Sequence, residues 1–250
     1  MTLVRALHSE VLKMKGTIAL KMVILAPALV FLLMLVAFSQ APRSPHDLWL
    51  ILEQSTLDMW ALLAMPLYIT LQTALVAGLD HTDNQWKSLL ARPVPRWTLY
   101  VAKLVVVMAM AAASAMVLLC GIFMDGAILR RVRPGLHFGF PAPWGEMFAE
   151  AAQVAMLAFL ALTIQHWVSL RWRSFSVAVG IGIAATILGG FAFGTSQQFV
   201  GWLRYFPWAL PMLPLGRQAH PVGMAILIST AAGLVVVACG CFGFCRREVN

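Results

Sequence analysis

Six long apolar runs occupy most of this sequence of 250 residues, and they limit its fold more than any other feature. Lipid offers the backbone no hydrogen-bond partners, so a run of about 20 apolar residues crosses a bilayer as an α-helix. With 61% hydrophobic and only 11% charged residues, the chain has too little polar surface to cover a body in water. We predict an all-α integral membrane protein, one domain over 1–250, with spans at 18–38, 57–79, 97–124, 148–168, 175–194 and 222–244.

Basic residues are unequally divided between the two faces that six spans define. Both termini fall on one face, which carries twelve of the eighteen lysines and arginines and a net charge of +8, against zero on the other. Cytoplasmic loops carry such a basic excess, so we predict that both termini are cytoplasmic. The alternative is a signal peptide cleaved near 37–39, which would leave five spans and an external N-terminus.

The N-terminal segment 3–15 has an apolar stripe at near-helical spacing, formed by Leu3, Leu7, Val11 and Met14. Most of its polar residues lie away from that stripe. This pattern predicts an amphipathic helix that lies among the lipid headgroups before the first span. The alternative is a simple extension of the first span into water.

The loop between spans two and three contains a short predicted helix, 82–92. Thr82 and Gln85 have the spacing of a capping box, and Pro93 and Pro95 end the helix. An apolar stripe with flanking charges suits docking into a groove of another protein, or rest on lipid. The residues alone leave open whether this helix docks on a protein or rests on lipid. The predicted docking residues are Asp83, Trp86, Lys87, Leu89, Leu90 and Arg92.

Small residues recur at every fourth position of the fifth span. Such a ladder lets another helix backbone approach closely. The partner helix is either in the same bundle or in a second subunit. The residues are Ala178, Gly182, Thr186, Gly190 and Gly194.

The segment 199–221 is rich in aromatic residues and proline, which is typical of a membrane interface. We expect it at the membrane interface, on the face opposite the termini.

Catalytic and nucleotide-binding motifs are absent from the sequence. No glycine immediately precedes a lysine, so there is no phosphate-binding loop, and no H-E-x-x-H or G-x-S-x-G motif occurs. No basic patch suited to nucleic acid stands on a soluble domain. We expect no enzyme activity, cofactor or metal in this chain.

Three segments together resemble a family of transporters. They are Glu10-Val-Leu-Lys-Met-Lys15, then Gln85-Trp-Lys-Ser-Leu-Leu-Ala-Arg-Pro-Val-Pro-Arg96, then Tyr100-Val-Ala-Lys103. Together with the six predicted spans, these segments make the chain similar to type-2 ABC exporter permeases, especially the small members of the lantibiotic-immunity and multidrug-export kind. One departure is that many relatives carry Glu near the start of the 82–92 helix, where Asp80 and Asp83 are the nearest acids here.

The resemblance implies roles for these segments. Segment 3–15 would be the elbow helix, and 82–92 the coupling helix that contacts a separate ATP-binding subunit, present in two copies, where ATP and magnesium bind. A second permease copy or a related permease would complete the pathway, with first and fifth spans meeting across the dimer. The segment 199–221 would be a re-entrant element that closes the outer exit, and the protein would lie in a bacterial cytoplasmic (inner) membrane. The candidate gate residues are Tyr205, Phe206, Pro207, Trp208 and Pro211.

The apolar walls of the spans favour an amphipathic or lipophilic cargo, such as a peptide, an antibiotic or a lipid-like molecule, exported from the cytoplasm. A stand-alone carrier or channel would show charges at the midplane or inverted repeats. A membrane enzyme would need a nucleophile and base within the spans. A haem- or cofactor-export permease would differ only in its cargo.

Overall fold

The computed structural model describes residues 3–42, 47–81, 95–139, 142–172, 174–198, 200–215 and 222–246. A π-helical turn, Trp60–Ala64, joins α3 to α4, and two 3-10 turns, Gly201–Tyr205 and Leu210–Leu215, precede the last helix. The α-helices are α1 (Leu3–Met14), α2 (Ile18–Ser39), α3 (Trp49–Met59), α4 (Met65–His81), α5 (Arg96–Val132), α6 (Trp144–Leu157), α7 (Phe159–Arg171), α8 (Phe175–Gln198) and α9 (Val222–Cys245).

Among the described residues, five helices are long and apolar enough to cross a membrane. They are α2, the continuous α3–α4 helix over Trp49–Asp80, α5, α8 and α9; α6 and α7 make a sixth span if this pair, bent by 41°, counts as one. The expectation of an all-helical, multi-pass membrane protein is confirmed. The expected fourth span, 148–168, is thus a broken helix.

Two spans are longer than their apolar runs indicated. The second begins at Trp49 rather than 57, and α5 continues to Val132 rather than ending at 124. Glu53 and Asp125 interrupt the hydropathy pattern, but both side chains are fully buried in the bundle. A prediction from hydropathy treats such acids as exposed to water, so each predicted span is shorter than the helix in the structure.

A tight turn separates α1 from α2. Gly16 adopts a positive φ of 76°, which suits glycine at the end of a helix. Thr17 then caps α2, its hydroxyl oxygen accepting a hydrogen bond from the Leu20 amide at 3.3 Å. Helix α1 is therefore a separate element rather than an extension of α2. It buries Ala6, Glu10 and Met14 and exposes Val11, so its inner face differs from the stripe expected from the sequence.

The bend between α6 and α7 is bridged by a serine of α9. The Leu160 amide donates to Ser229 Oγ at 3.2 Å, and that hydroxyl lies 3.0 Å from the carbonyl oxygens of Met156 and Leu157. A side chain inserted into the backbone ladder is a known cause of helix kinks. Ser229 thus supplies the hydrogen bonds that the broken helix has lost.

Replacing Ser229 with alanine is expected to destabilise the protein by about 1–3 kcal/mol, because a buried backbone amide loses its partner. Thermal unfolding in detergent measures the effect. Ser176→Ala, at an exposed position of α8, is the control and should leave the melting temperature unchanged. Equal melting temperatures for the two variants would show that Ser229 does not hold the bend.

Candidate functional site

Four charged side chains form a closed ring at the end of the bundle that carries α1. Glu10 and Lys13 come from α1, Asp80 from the last turn of α4, and Lys103 from the second turn of α5. Lys13 Nζ lies 2.7 Å from Glu10 Oε1 and 3.0 Å from Asp80 Oδ1. Lys103 Nζ lies 2.7 Å from Glu10 Oε2 and pairs with Asp80 Oδ2. We call this set the charge ring.

The charge ring is almost wholly shielded from solvent. Glu10, Asp80 and Lys103 are 1%, 0% and 1% exposed, and only Lys13 is partly accessible. A buried ion is costly unless it is paired and hydrogen-bonded. Here each cation faces two carboxylates, and each carboxylate faces two cations. The four charges cancel, so the ring can remain buried while it ties three helices together.

Lys13 shows how the ring maintains its own charges. Burial lowers the pKa of the Lys13 ammonium, but the hydrogen bond and charge of Glu10, followed by those of Asp80, outweigh it. The net result is a pKa raised above the ordinary value of 10.5. The stability that this ammonium contributes is fully present below pH 10.5 and is lost only as the pH rises through the raised pKa.

The charge ring contains one residue on each side of the segment in which the sequence predicted a docking helix. Asp80 of α4 precedes that segment and Lys103 of α5 follows it, so the ring links the two helices that flank the segment to α1. Arg96, at the start of α5, also donates to the Cys245 carbonyl oxygen of α9 at 3.2 Å. The predicted docking residues Asp83, Trp86, Lys87, Leu89, Leu90 and Arg92 lie outside the described residues.

Polar side chains continue inward from the charge ring and join further helices. His166 of α7 is buried edge-on against Tyr100 of α5, with ring centroids 5.0 Å apart. Ser169 donates to Thr73 Oγ1 of α4 at 3.0 Å, and Gln165 donates to the Ala178 carbonyl oxygen of α8 at 2.9 Å. Such interhelical hydrogen bonds hold helices together where no water competes.

The small-residue ladder of α8 faces helices of its own chain. A Cβ added to Gly182 would lie 2.2 Å from Thr70 Oγ1 of α4, and one added to Gly190 would lie 3.5 Å from Leu62. Ala178 and Thr186 are buried beside them, whereas a Cβ at Gly194 would meet nothing within 4 Å. Within the described part of the chain, the α3–α4 helix packs against this face at Gly182 and Gly190.

The outer segment is packed into the end of the bundle opposite α1. Trp208 and Pro211 are buried, while Tyr205, Phe206 and Pro207 are half-buried. A Cβ at Gly189 of α8 would lie 2.6 Å from Trp208 Cβ, so the segment and α8 are in close contact. The gate residues predicted from the sequence therefore lie within and between the two 3-10 turns, and Trp208 packs against α8.

An apolar cavity of about 340 Å³ lies between the α3–α4 helix, α5, the bent α6–α7 pair and α9. The π-helical turn and the bend both border it, and π-helical turns often occur at functional sites. Tyr68 is a polar residue of its wall, but its hydroxyl donates to the Met110 carbonyl oxygen at 3.1 Å. The lining includes Trp60, Tyr68, Met108, Met156, Phe159 and Leu162.

A family model described as ABC-2 family transporter protein matches residues 6–189. This chain belongs to the ABC-2 transporter family. The match covers the four residues of the charge ring and the segment between Asp80 and Lys103, and it ends within α8. An ABC-2 permease is a membrane component of a transporter, and the family implies an ABC ATPase as its partner in general. No curated protein and no solved structure matches this ABC-2 permease.

Proposed function

We propose that this ABC-2 permease is the membrane subunit of an exporter that moves an amphipathic or lipophilic cargo out of the cytoplasm. A separate ATPase, in two copies, would bind the 82–92 segment, and a second copy or a related permease would complete the pathway. The single observation that carries the proposal is the charge ring. It ties the two helices that flank the segment, α4 and α5, to α1, so a push on the segment would be transmitted to all three helices.

The rigidity of the ring supports this transmission. Its cross-links join residues 67 and 93 positions apart in the chain. Because the ring joins α1, α4 and α5, movement of either helix that flanks the segment would carry the other two along as a body. Rigid-body motion of helices is a common form of switching between states. Access would then alternate between the two faces of a bacterial cytoplasmic membrane, with both termini on the cytoplasmic side.

The chemistry of the cargo follows from the apolar cavity. Its wall is formed mainly by Met, Leu, Ala and aromatic side chains, and its tyrosine hydroxyl already has a backbone partner. The described lining residues offer an ion no compensating charge, whereas an alkyl or aromatic group would fit against the apolar wall. The proposed cargo is therefore a peptide, an antibiotic or a lipid-like molecule with a large apolar part.

The proposed contact with a second permease uses the lipid-facing sides of α2 and α8. Because the small-residue ladder of α8 packs on the α3–α4 helix, the face left for a subunit partner is the opposite one. It carries Ile187 and Phe191, which are 68% and 72% exposed, and α2 exposes Ile24 and Leu29. Apolar side chains of this size can pack against a second copy.

Exchange of Trp86 for glutamate is expected to remove the ATPase and abolish ATP-driven transport without affecting membrane insertion. A charge in the middle of an apolar docking stripe is costly to bury. Tagged protein is extracted from native membranes in mild detergent, and co-purified proteins are identified by mass spectrometry. Trp202→Glu is the matched control, because Trp202 is 71% exposed and lies at the end of the bundle opposite α1.

A stoichiometric ATPase that co-purifies with the parent protein and Trp202→Glu, but not with Trp86→Glu, would support the proposal and locate the docking segment. Equal recovery with all three would contradict the role of 82–92. Folded protein without an ATPase in any sample would favour a stand-alone carrier instead.

A further inference from the structure

A second cavity, of about 600 Å³, lies at the α1 end of the bundle between α5, α7 and α9. It is separate from the charge ring and from the cavity that we assign to the cargo. Tyr100 of α5 forms part of its wall, Trp167 and Leu170 come from α7, and Val235, Gly240 and Phe244 come from α9. The proposed transport mechanism makes no use of it.

The cavity opens toward the surface that lipid would cover. Trp167 and Val235 are 38% and 62% exposed, and Cys239 and Gly243 are also exposed. These residues lie on long apolar helices, so the medium around them is the hydrocarbon of a bilayer. A molecule that enters sideways from this medium meets an apolar, partly aromatic surface.

One polar group of the cavity lacks a partner. Tyr100 is 1% exposed, and within the part of the chain that the structure describes its hydroxyl has no hydrogen-bond partner. A Cβ at Gly240 would lie 2.3 Å from this hydroxyl, so only glycine at this position lets α9 pack directly against the Tyr100 ring. An unpaired buried hydroxyl is costly, and an oxygen acceptor on a bound molecule would satisfy it.

One arginine lies in the cavity wall, and two more contact residues next to it in α9. Arg171, at the end of α7, forms part of the lining. Arg96 binds the Cys245 carbonyl oxygen next to Phe244, and the guanidinium of Arg246 lies 3.9 Å above the Phe242 ring. Arginine at the end of a span suits the phosphate of a lipid headgroup.

We propose that this cavity binds one anionic glycerophospholipid. An acyl chain lies along α9, an ester oxygen accepts the hydrogen bond of the Tyr100 hydroxyl, and the phosphate lies at the arginine rim. The apolar wall would hold the acyl tail, the Tyr100 hydroxyl would meet the ester, and the arginines would meet the phosphate. These three features occur in the same order as the three parts of the lipid. The proposal does not depend on the presence of an ATPase.

Native mass spectrometry of the purified protein tests this directly, with dioleoyl phosphatidylglycerol and dioleoyl phosphatidylcholine titrated into delipidated samples. Gly243→Leu fills the cavity, and a Cβ there meets nothing within 4 Å, so folding is preserved. Gly223→Leu, equally open and in the same helix but outside the lining, is the control. We expect the parent and Gly223→Leu to retain one phosphatidylglycerol molecule that Gly243→Leu does not. Equal retention by all three would overturn the proposal.

Two further variants test the polar contacts. Arg171→Gln should lower the preference for phosphatidylglycerol over phosphatidylcholine by about fivefold, while Arg130→Gln at the other end of α5 should not. Tyr100→Phe should weaken phosphatidylglycerol binding yet leave the delipidated protein as stable as the parent or more so, because the Tyr100 hydroxyl has no hydrogen-bond partner among the described residues. A parent protein that binds both lipids equally would refute anionic selectivity. Unchanged binding by Tyr100→Phe would refute the ester contact.

Discussion

Replacement of Lys103 by methionine is expected to destabilise the protein by about 3–5 kcal/mol, one of the two largest effects that the structure predicts. The charge ring would keep two buried carboxylates with a single cation, Lys13, between them. Methionine preserves most of the volume of the side chain, so the loss is one of charge rather than of packing. Thermal unfolding in detergent measures it, and ATP-driven transport is measured alongside.

Lys21→Met is the matched control, because Lys21 is exposed on α2 near the same end of the bundle. Asp80→Asn combined with Lys103→Met restores neutrality, and it should recover part of the lost stability, since residues of one network do not act additively. Transport should remain low in the double variant, because α4 and α5 are no longer joined by charge. Equal melting temperatures for Lys103→Met and Lys21→Met would contradict the ring.

Gly182→Leu is expected to destabilise the fold at the upper end of the about 1–3 kcal/mol typical of overpacked cores, or beyond it. Even a methyl group at this position would lie 2.2 Å from Thr70 Oγ1, so α8 must move away from α4. Gly180→Leu is the control in the same helix, where a Cβ meets nothing within 4 Å. Differential scanning fluorimetry of the two variants gives the comparison.

A rescue experiment separates the two possible partners of the small-residue ladder. Thr70→Gly creates space beneath Gly182, so Thr70→Gly with Gly182→Ala should melt close to Thr70→Gly alone. If instead Gly182→Leu melts like Gly180→Leu but dissociates a permease dimer, the ladder faces the second subunit and the packing on α4 is not its role.

The fold could be predicted largely from hydropathy, because lipid leaves an apolar run no other regular structure than a helix. The predicted spans are shorter than the helices where acidic residues are buried. Glu53 and Asp125 interrupt their apolar runs, and yet the helices continue through both. The break in α6–α7 was also beyond sequence reasoning, since it depends on Ser229 from a helix about 70 residues away.

The site was less predictable than the fold. In the sequence, Lys13 is one of the polar residues of the predicted surface helix 3–15, and Asp80 is one of the two acids nearest the predicted 82–92 helix. Their pairing with Glu10 and Lys103 depends on how three helices pack, and spacing along the chain does not reveal this. One signal was present: Lys103 is a lone charge seven residues inside a long apolar helix, and such a charge needs a partner. The ladder of α8 was visible as a pattern, but only the position of Thr70 shows which helix it meets.

The charge ring also has a consequence for how the chain is made. Synthesis proceeds from the N-terminus, so Glu10, Lys13 and Asp80 enter the membrane before Lys103 does. During that interval two carboxylates share one lysine at the bilayer surface, and the helices that bear them remain without their final arrangement. The arrival of the third span neutralises them and fixes the first helix in place. Closure of the ring therefore marks the moment in biogenesis when the N-terminal half of the protein becomes a stable unit.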